Sequence, residues 1–106
     1  MAAIGYVTKD TNGSYKGRLK TISIDTAIEI VANRGKADEP HPDYLVRSGD
    51  VEIGAGWNRI ARTTGNEYVS LSLEAPEFGP RRLYANLGRA AGNDDNRFAV
   101  LWNPAD

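Results

Sequence analysis

The sequence predicts an all-β domain, a mainly antiparallel small sandwich or partly open barrel of about seven or eight strands. Apolar residues recur at every second position in most segments, which is the side-chain period of a half-buried strand. Eleven glycines and five prolines among 106 residues supply many turns, which favours several short strands over a few long helices. The clearest segment is a hairpin over residues 51–73, in which two alternating runs flank a polar turn.

The first run of this hairpin predicts a dry face formed by Val51, Ile53, Ala55 and Trp57. The second run places Val69, Leu71 and Leu73 on its dry face, and Thr63 to Asn66 form the turn. We expect Trp57 and Trp102 to help fill a common interior. Gly54 and Gly56 leave a bare furrow on the other face, and two interpretations stay open. One is a bulge, a bend or the close approach of another strand; the other is a shallow groove walled by Trp57 that takes a flat ring or a partner's backbone.

The N-terminal segment predicts another hairpin. Ile4 to Thr8 alternate as a first strand, and Asn12-Gly13 is a strong signal for a tight turn. The second strand is expected from Tyr15 to Ile24, with three cations at the start of one face: Lys16, Arg18 and Lys20.

The middle of the chain is ambiguous at residues 25–33. Ile28, Ile30 and Ala32 alternate as in a strand, whereas Ile24, Ile28 and Val31 also fit a helix that Asp25 or Thr26 would cap. The β-branched content favours a strand. A polar loop with two prolines follows over residues 34–43, and then a short strand from Tyr44 to Arg47.

The C-terminal third predicts two more strands. Residues 74–80 contain two prolines and are expected to be irregular, because proline cannot serve an interior ladder. A strand is expected from Arg81 to Gly88, and residues 92–96 form a polar hairpin loop. The last strand runs from Phe98 to Trp102, and its nearly continuous apolar character predicts a position covered on both faces.

Composition limits the classes of function. One domain over residues 1–106 is expected from the length. The absence of cysteine excludes disulfides and thiolate chemistry, and it fits a reducing cytoplasm. The first residues lack the pattern of a signal peptide and no apolar run reaches the length of a membrane span, so a cytoplasmic protein without membrane contact is expected. Thirteen basic and fourteen acidic side chains give a net charge of −1, so no overall basic field for duplex DNA exists.

Several motifs in this order resemble a known family. They are Ile4-Gly5, Thr8-Lys9-Asp10, Asn12-Gly13, Gly17, Leu19 to Ile24, the block Val51 to Trp57, Tyr68 to Leu71, Leu83 to Leu87, and Leu101-Trp102. The chain resembles the small bacterial family called domain of unknown function 736 over nearly its whole length. The resemblance implies a protein often encoded on plasmids and integrative conjugative elements, with no established activity and therefore no catalytic residue to carry over.

The leading hypothesis for function is a non-enzymatic binding or accessory protein with single-stranded nucleic acid as its ligand. Basic side chains would follow phosphates on a sheet face while aromatic rings stack on bases. The candidate residues are Tyr15, Lys16, Arg18, Lys20, Trp57, Arg59, Arg82 and Tyr84. The competing interpretation is an ordinary solvated face, on which lysines discourage edge-to-edge pairing of strands.

A second hypothesis is a protein-interaction module that forms a homodimer or binds a protein partner through Phe78 or the apolar last strand. No catalytic residues, cofactor or metal site are expected. Asp38, Glu39, His41 and Asp43 contain the single histidine among carboxylates, but a solvated acidic loop explains them better than a metal site does.

Overall fold

The computed structural model describes residues 3–33, 35, 41–76, 80, 82–89 and 96–103. Eight strands occur in these residues, and almost no helix does. The strands are β1 (Ala3–Lys9), β2 (Tyr15–Lys20), β3 (Asp25–Ala32), β4 (Tyr44–Ser48), β5 (Val51–Ile60), β6 (Glu67–Leu73), β7 (Leu83–Arg89) and β8 (Arg97–Trp102).

The eight strands form a closed barrel in simple sequence order. Each strand runs antiparallel to the one before it, and β8 pairs with β1 to complete the ring. The prediction of an all-β, antiparallel fold is therefore confirmed, and the ring is closed, which decides against the sandwich. Closure removes the two unpaired edges that an open sheet would expose.

The predicted turns at Gly13 and Gly65 form two of the connections. Gly13 and Gly65 adopt positive φ angles of 87° and 73°, as expected for the hairpins at Asn12-Gly13 and at residues 63–66. The second strand is shorter than predicted: it ends at Lys20 rather than Ile24. The hydroxyl of Thr21 accepts a hydrogen bond from the backbone N–H of Ile24, and this turn leads directly into β3.

The ambiguous segment is a strand. Asp25–Ala32 pairs with β2 on one side and β4 on the other, and Ile28 and Ile30 point into the core. As a strand this segment hydrogen-bonds to both β2 and β4, whereas a helix would leave a gap between them. Its β-branched residues suit that strand conformation.

A bulge in β5 reverses the faces that the sequence predicts. Val46 of β4 lies opposite Gly54, while Arg47 lies opposite Glu52, so Ile53 is an extra residue. Beyond it Gly54 and Gly56 pair with the buried Leu73 and Leu71, and they face the interior. The predicted dry face is correct at Ile53 but wrong at Val51, which is 62% exposed at the barrel end. It is also wrong at Ala55 and Trp57, which lie on the outside of the barrel.

The two glycines make room inside the barrel. A Cβ added at Gly54 would collide with the backbone carbonyl of Ser72. One added at Gly56 would lie 2.9 Å from the Leu71 Cδ2 and 3.4 Å from the Cβ of Tyr44. The bulge and close approach predicted for this stretch are thus confirmed, and the bare face of the glycines is filled by interior side chains.

The interior is packed with aliphatic side chains from all eight strands. The buried hydrophobic residues are Val7, Tyr15, Leu19, Ile28, Ile30, Val46, Ile53, Val69, Leu71, Leu73, Ala85, Leu87, Ala99 and Val100. The expectation that both tryptophans fill this interior is wrong. Trp57 is half-buried on the outer face of β5, and Trp102, the last residue of β8, is 42% exposed at the barrel end.

Candidate functional site

The predicted cations of β2 stand on the outer face of the barrel, each beside an acidic side chain. Lys16 lies 3.8 Å from the carboxylate of Asp10 and opposite Glu29, and Arg18 forms an ion pair with Asp25. Lys20 lies opposite Asp25 in the β2–β3 ladder. These carboxylates cancel much of the positive potential that a phosphate backbone would need, so this surface has the character of a solvated, mixed-charge face.

The eight candidate residues do not share one surface. Tyr15 is only 4% exposed and points into the barrel, away from the cations beside it. Trp57 and Arg59 lie on β5, and Tyr84 lies on β7 with Arg82 just before it. In an eight-stranded ring β2 is at least three strands away from both. The single basic and aromatic face suggested by the sequence is therefore wrong as a complete set.

The remaining four candidates do come together across β5, β6 and β7, and we call this surface the ring face. Ser70 lies opposite both Trp57 and Asn86, and Ser72 lies opposite both Ala55 and Tyr84. With strands about 4.8 Å apart and about 3.4 Å per residue, the Cα atoms of Trp57 and Tyr84 are about 12 Å apart. The ring face is defined by Trp57, Arg59, Ser70, Ser72, Arg82, Tyr84 and Asn86.

Charge on the ring face is confined to its borders. The guanidinium of Arg59 lies 6.0 Å from the centre of the Trp57 ring. Arg82 donates a hydrogen bond of 3.2 Å to Glu74, which raises the pKa of Arg82 above its usual value. A depression of about 320 Å³ separates Trp57 from Arg82, and Ala55 and Ser72 also line it. Glu52 and Glu74 line the same depression, so carboxylates as well as cations border the space between the two rings.

A second site lies at one end of the barrel, and the sequence analysis missed it. Even-numbered strands of a meander all begin at the same end, and each of them begins with an aromatic ring at its first or second residue. These residues are Tyr15, Tyr44, Tyr68 and Phe98. The four aromatic residues can be recognised as one cluster only when the first residue of each strand and the order of the strands in the barrel are known.

We call this end the aromatic mouth; it is a cavity of about 360 Å³. The Tyr15 ring contacts the rings of Tyr44 and Phe98 edge to face, with centroid distances of 6.0 Å and 5.5 Å. Burial raises the pKa of the Tyr15 phenol, and interaction with the Tyr44 phenol raises it further. The lining residues are Lys9, Tyr15, Tyr44, Asn58, Glu67, Tyr68, Val69, Leu87 and Phe98.

The opposite end of the barrel exposes apolar side chains. Ile22 is fully exposed in the β2–β3 turn, and Val51 is 62% exposed at the start of β5. Trp102 ends β8 at this same end of the barrel. A depression of about 490 Å³, which Val51, Ile24 and Pro76 help to line, lies among the turns of this end.

Some predicted positions cannot be compared with the structure. Asp38, Glu39, Phe78 and the loop residues 92–95 lie outside the described residues. Asp43, the described carboxylate nearest to them, accepts a hydrogen bond of 2.9 Å from the backbone N–H of Asn58. Among the described residues no three histidine, aspartate or glutamate side chains come together as a metal site would require. A search of the same residues for a helix able to cross a membrane finds none.

Comparison with known proteins gives a family but no activity. No curated protein matches the chain, and no solved structure does. The model of one family, described as a protein of unknown function (DUF736), matches residues 3–105, which is nearly the whole chain and includes every strand of the barrel. The chain belongs to the DUF736 family.

Proposed function

We propose that this chain is a non-enzymatic binding protein whose ring face binds single-stranded nucleic acid, in the setting of mobile genetic elements that the family resemblance implies. The observation that carries the proposal is the placement of Trp57 and Tyr84 on one outer surface, with Arg59 and Arg82 at its borders. Bases of any sequence stack on such rings, and cations at the borders contact phosphates.

The centre of the ring face supports this type of binding. Ser70, Ser72 and Asn86 are short or neutral, so the residues directly between the two rings carry no charge. The bulge at Ile53 is what turns Trp57 outward, because without the extra residue this side chain would face the core. The bulge therefore places the half-buried ring of Trp57 on the outer surface of the barrel.

The number of cations sets the expected salt dependence. Among the described residues, Arg59 and Arg82 are the cations that border the ring face, and a phosphate would have to displace Glu74 from Arg82. Each phosphate contact on a single strand contributes a slope of about −0.7 to a plot of log affinity against log salt. Two contacts give a slope of about −1.4, or about a sevenfold loss of affinity between 50 and 200 mM salt.

The proposal is tested by titrating fluorescently labelled single-stranded DNA and RNA, and a matched duplex, with the protein at several salt concentrations. The expected result is binding to single strands with the shallow slope given above and quenching of tryptophan emission. Equal binding to the duplex, or no binding at low salt, would refute the proposal.

A second candidate function is self-association through the opposite end of the barrel. Ile22, Val51 and Trp102 expose apolar surface there, and a second copy would cover the same patch in a symmetric contact. Analytical ultracentrifugation distinguishes the two: a concentration-dependent dimer that ignores oligonucleotides supports this candidate, and a monomer at high concentration excludes it.

A further inference from the structure

The aromatic mouth has the features of a small-ligand pocket. Its volume of about 360 Å³ lies in the range of pockets that enclose small molecules. Its wall combines four aromatic rings with polar groups: the charged or amide side chains of Lys9, Asn58 and Glu67, and the phenols of the tyrosines. A wall that joins aromatic rings to convergent polar groups suits a ligand that carries both a ring and polar substituents.

The rings of the wall suit a flat ligand. Tyr44 and Phe98 stand at 74° and 79° to Tyr15, with centroid distances at which rings attract one another edge to face. Tyr68 begins the neighbouring even-numbered strand and also lines the cavity. A further aromatic ring that entered the cavity would extend this cluster in the same geometry.

The cation of the mouth is available to a ligand. The Lys9 ammonium lies 5.8 Å from the centre of the Tyr15 ring, and no carboxylate of the described residues lies within ion-pair distance of it. This distinguishes Lys9 from Lys16 and Arg18, both of which have acidic partners. An anionic group on a bound ring would reach the ammonium at the rim of the cavity.

Asn58 and Glu67 limit which kind of ring the cavity can bind. The Glu67 carboxylate accepts hydrogen bonds only, whereas the Asn58 amide both donates and accepts. Neither side chain has a hydrogen-bond partner among the described residues, and both line the cavity. Both side chains are solvent-exposed and hydrated, so a heteroaromatic ring with an N–H donor can replace the water at Glu67, whereas a plain hydrocarbon ring cannot.

We propose that the aromatic mouth binds a small planar heteroaromatic anion, a ring with an N–H donor and one carboxylate or phosphate group. Stacking and burial hold the ring among Tyr15, Tyr44 and Phe98. Lys9 pairs with the anionic group, and Glu67 and Asn58 bind the edge of the ring. This site is separate from the ring face and does not depend on the function proposed for that face.

The test uses two probes that carry this chemistry from different sources: adenosine 5′-monophosphate and indole-3-acetate. Adenosine and indole serve as their neutral analogues. Binding is measured by isothermal calorimetry, and the site is located by two-dimensional NMR with assigned backbone signals. We expect at least one anionic probe to bind about tenfold more tightly than its neutral analogue. The shifts should concentrate at the starts of β2, β4, β6 and β8.

Matched lysine variants identify the cation. Lys9→Ala should abolish the preference for the anionic probe, whereas Lys20→Ala, at the opposite end of the barrel, should leave it unchanged. Lys9 is exposed, so its removal spares the fold, and circular dichroism of both variants checks this. No binding of either probe at millimolar concentration, shifts confined to Trp57 and Tyr84, or an unchanged preference in Lys9→Ala would each overturn the proposal.

Discussion

Gly56 lies directly under Leu71: a Cβ added to the glycine would be 2.9 Å from the Leu71 Cδ2 atom. The contact follows from the bulge at Ile53, which turns Gly54 and Gly56 inward and Trp57 outward. The bulge therefore determines two things at once: the packing of interior side chains around Gly56, and the position of Trp57 on the surface proposed for binding.

Gly56→Val should destabilise the protein by about 1–3 kcal/mol, because the added side chain overpacks a filled interior. Thermal unfolding measures the loss as a lower melting temperature. Gly35→Ala is the control, since its added Cβ meets only the Asn33 Oδ1 at an ordinary 3.5 Å. A Gly56→Val variant as stable as this control would show that Gly56 does not face the core.

Trp57→Ala and Leu71→Ala should differ sharply in stability. Truncating a buried leucine costs about 2–5 kcal/mol, and a fully buried tryptophan costs about 3–5 kcal/mol. Trp57 lies on the outer face of the barrel, so its truncation should lower the free energy of unfolding clearly less than that of Leu71, which is 1% exposed. Urea unfolding gives both values. Equal losses of stability would mean that Trp57 is a core residue and that the alternation of inward and outward side chains in β5 is not interrupted at Ile53.

The barrel should lose stability in alkali through Tyr15. Its pKa is raised above the ordinary value of 10.0, so the folded protein holds the phenolic proton more tightly than the unfolded chain does. This stability is fully present below pH 10 and is lost as the pH rises, because the unfolded chain then releases the proton first. Melting temperatures between pH 9 and 11 should fall less steeply in Tyr15→Phe than in the parent.

Tyr84→Phe is the control for that series, since Tyr84 stands on the outer face of β7 and is 37% exposed. Tyr15→Phe should depart from the parent protein further than this control does. If Tyr15→Phe matched the parent, the buried phenol would not contribute to alkaline unfolding.

Val51→Lys tests the opposite end of the barrel. The side chain is largely exposed, so the barrel should remain as stable as the parent, within about 0.5 kcal/mol. Sedimentation velocity should then show whether any dimer of the parent is lost. Loss of a parent dimer would support self-association through this end, and a dimer that survives the charge would exclude it.

The period-two pattern predicts the strands well but not their faces. Residues 25–33 form a strand as the β-branched side chains indicate, and the turns at Gly13 and Gly65 lie where the sequence places them. The face of Trp57 could not be predicted, because the bulge depends on the pairing of β4 with β5, which no local pattern contains.

The candidate site shows the same limit. Lys16 and Arg18 are exposed as predicted, but their acidic partners Asp10 and Asp25 become neighbours only through the β1–β2 turn and the β2–β3 ladder. The sequence pattern groups Tyr15 with these cations because it is near them in the chain, whereas its side chain points to the other side of the same strand.

The most direct test of the account compares oligonucleotide binding by two pairs of variants, measured by fluorescence anisotropy at 50 mM salt. Trp57→Ala with Tyr84→Ala removes the rings of the ring face, and Lys16→Ala with Arg18→Ala removes the cations of β2. The account predicts that the first pair weakens binding at least about tenfold, since each stacked base contributes about 1–3 kcal/mol, while the second pair changes it less than about twofold. Binding that depends on Lys16 and Arg18 but survives the loss of both rings would contradict it.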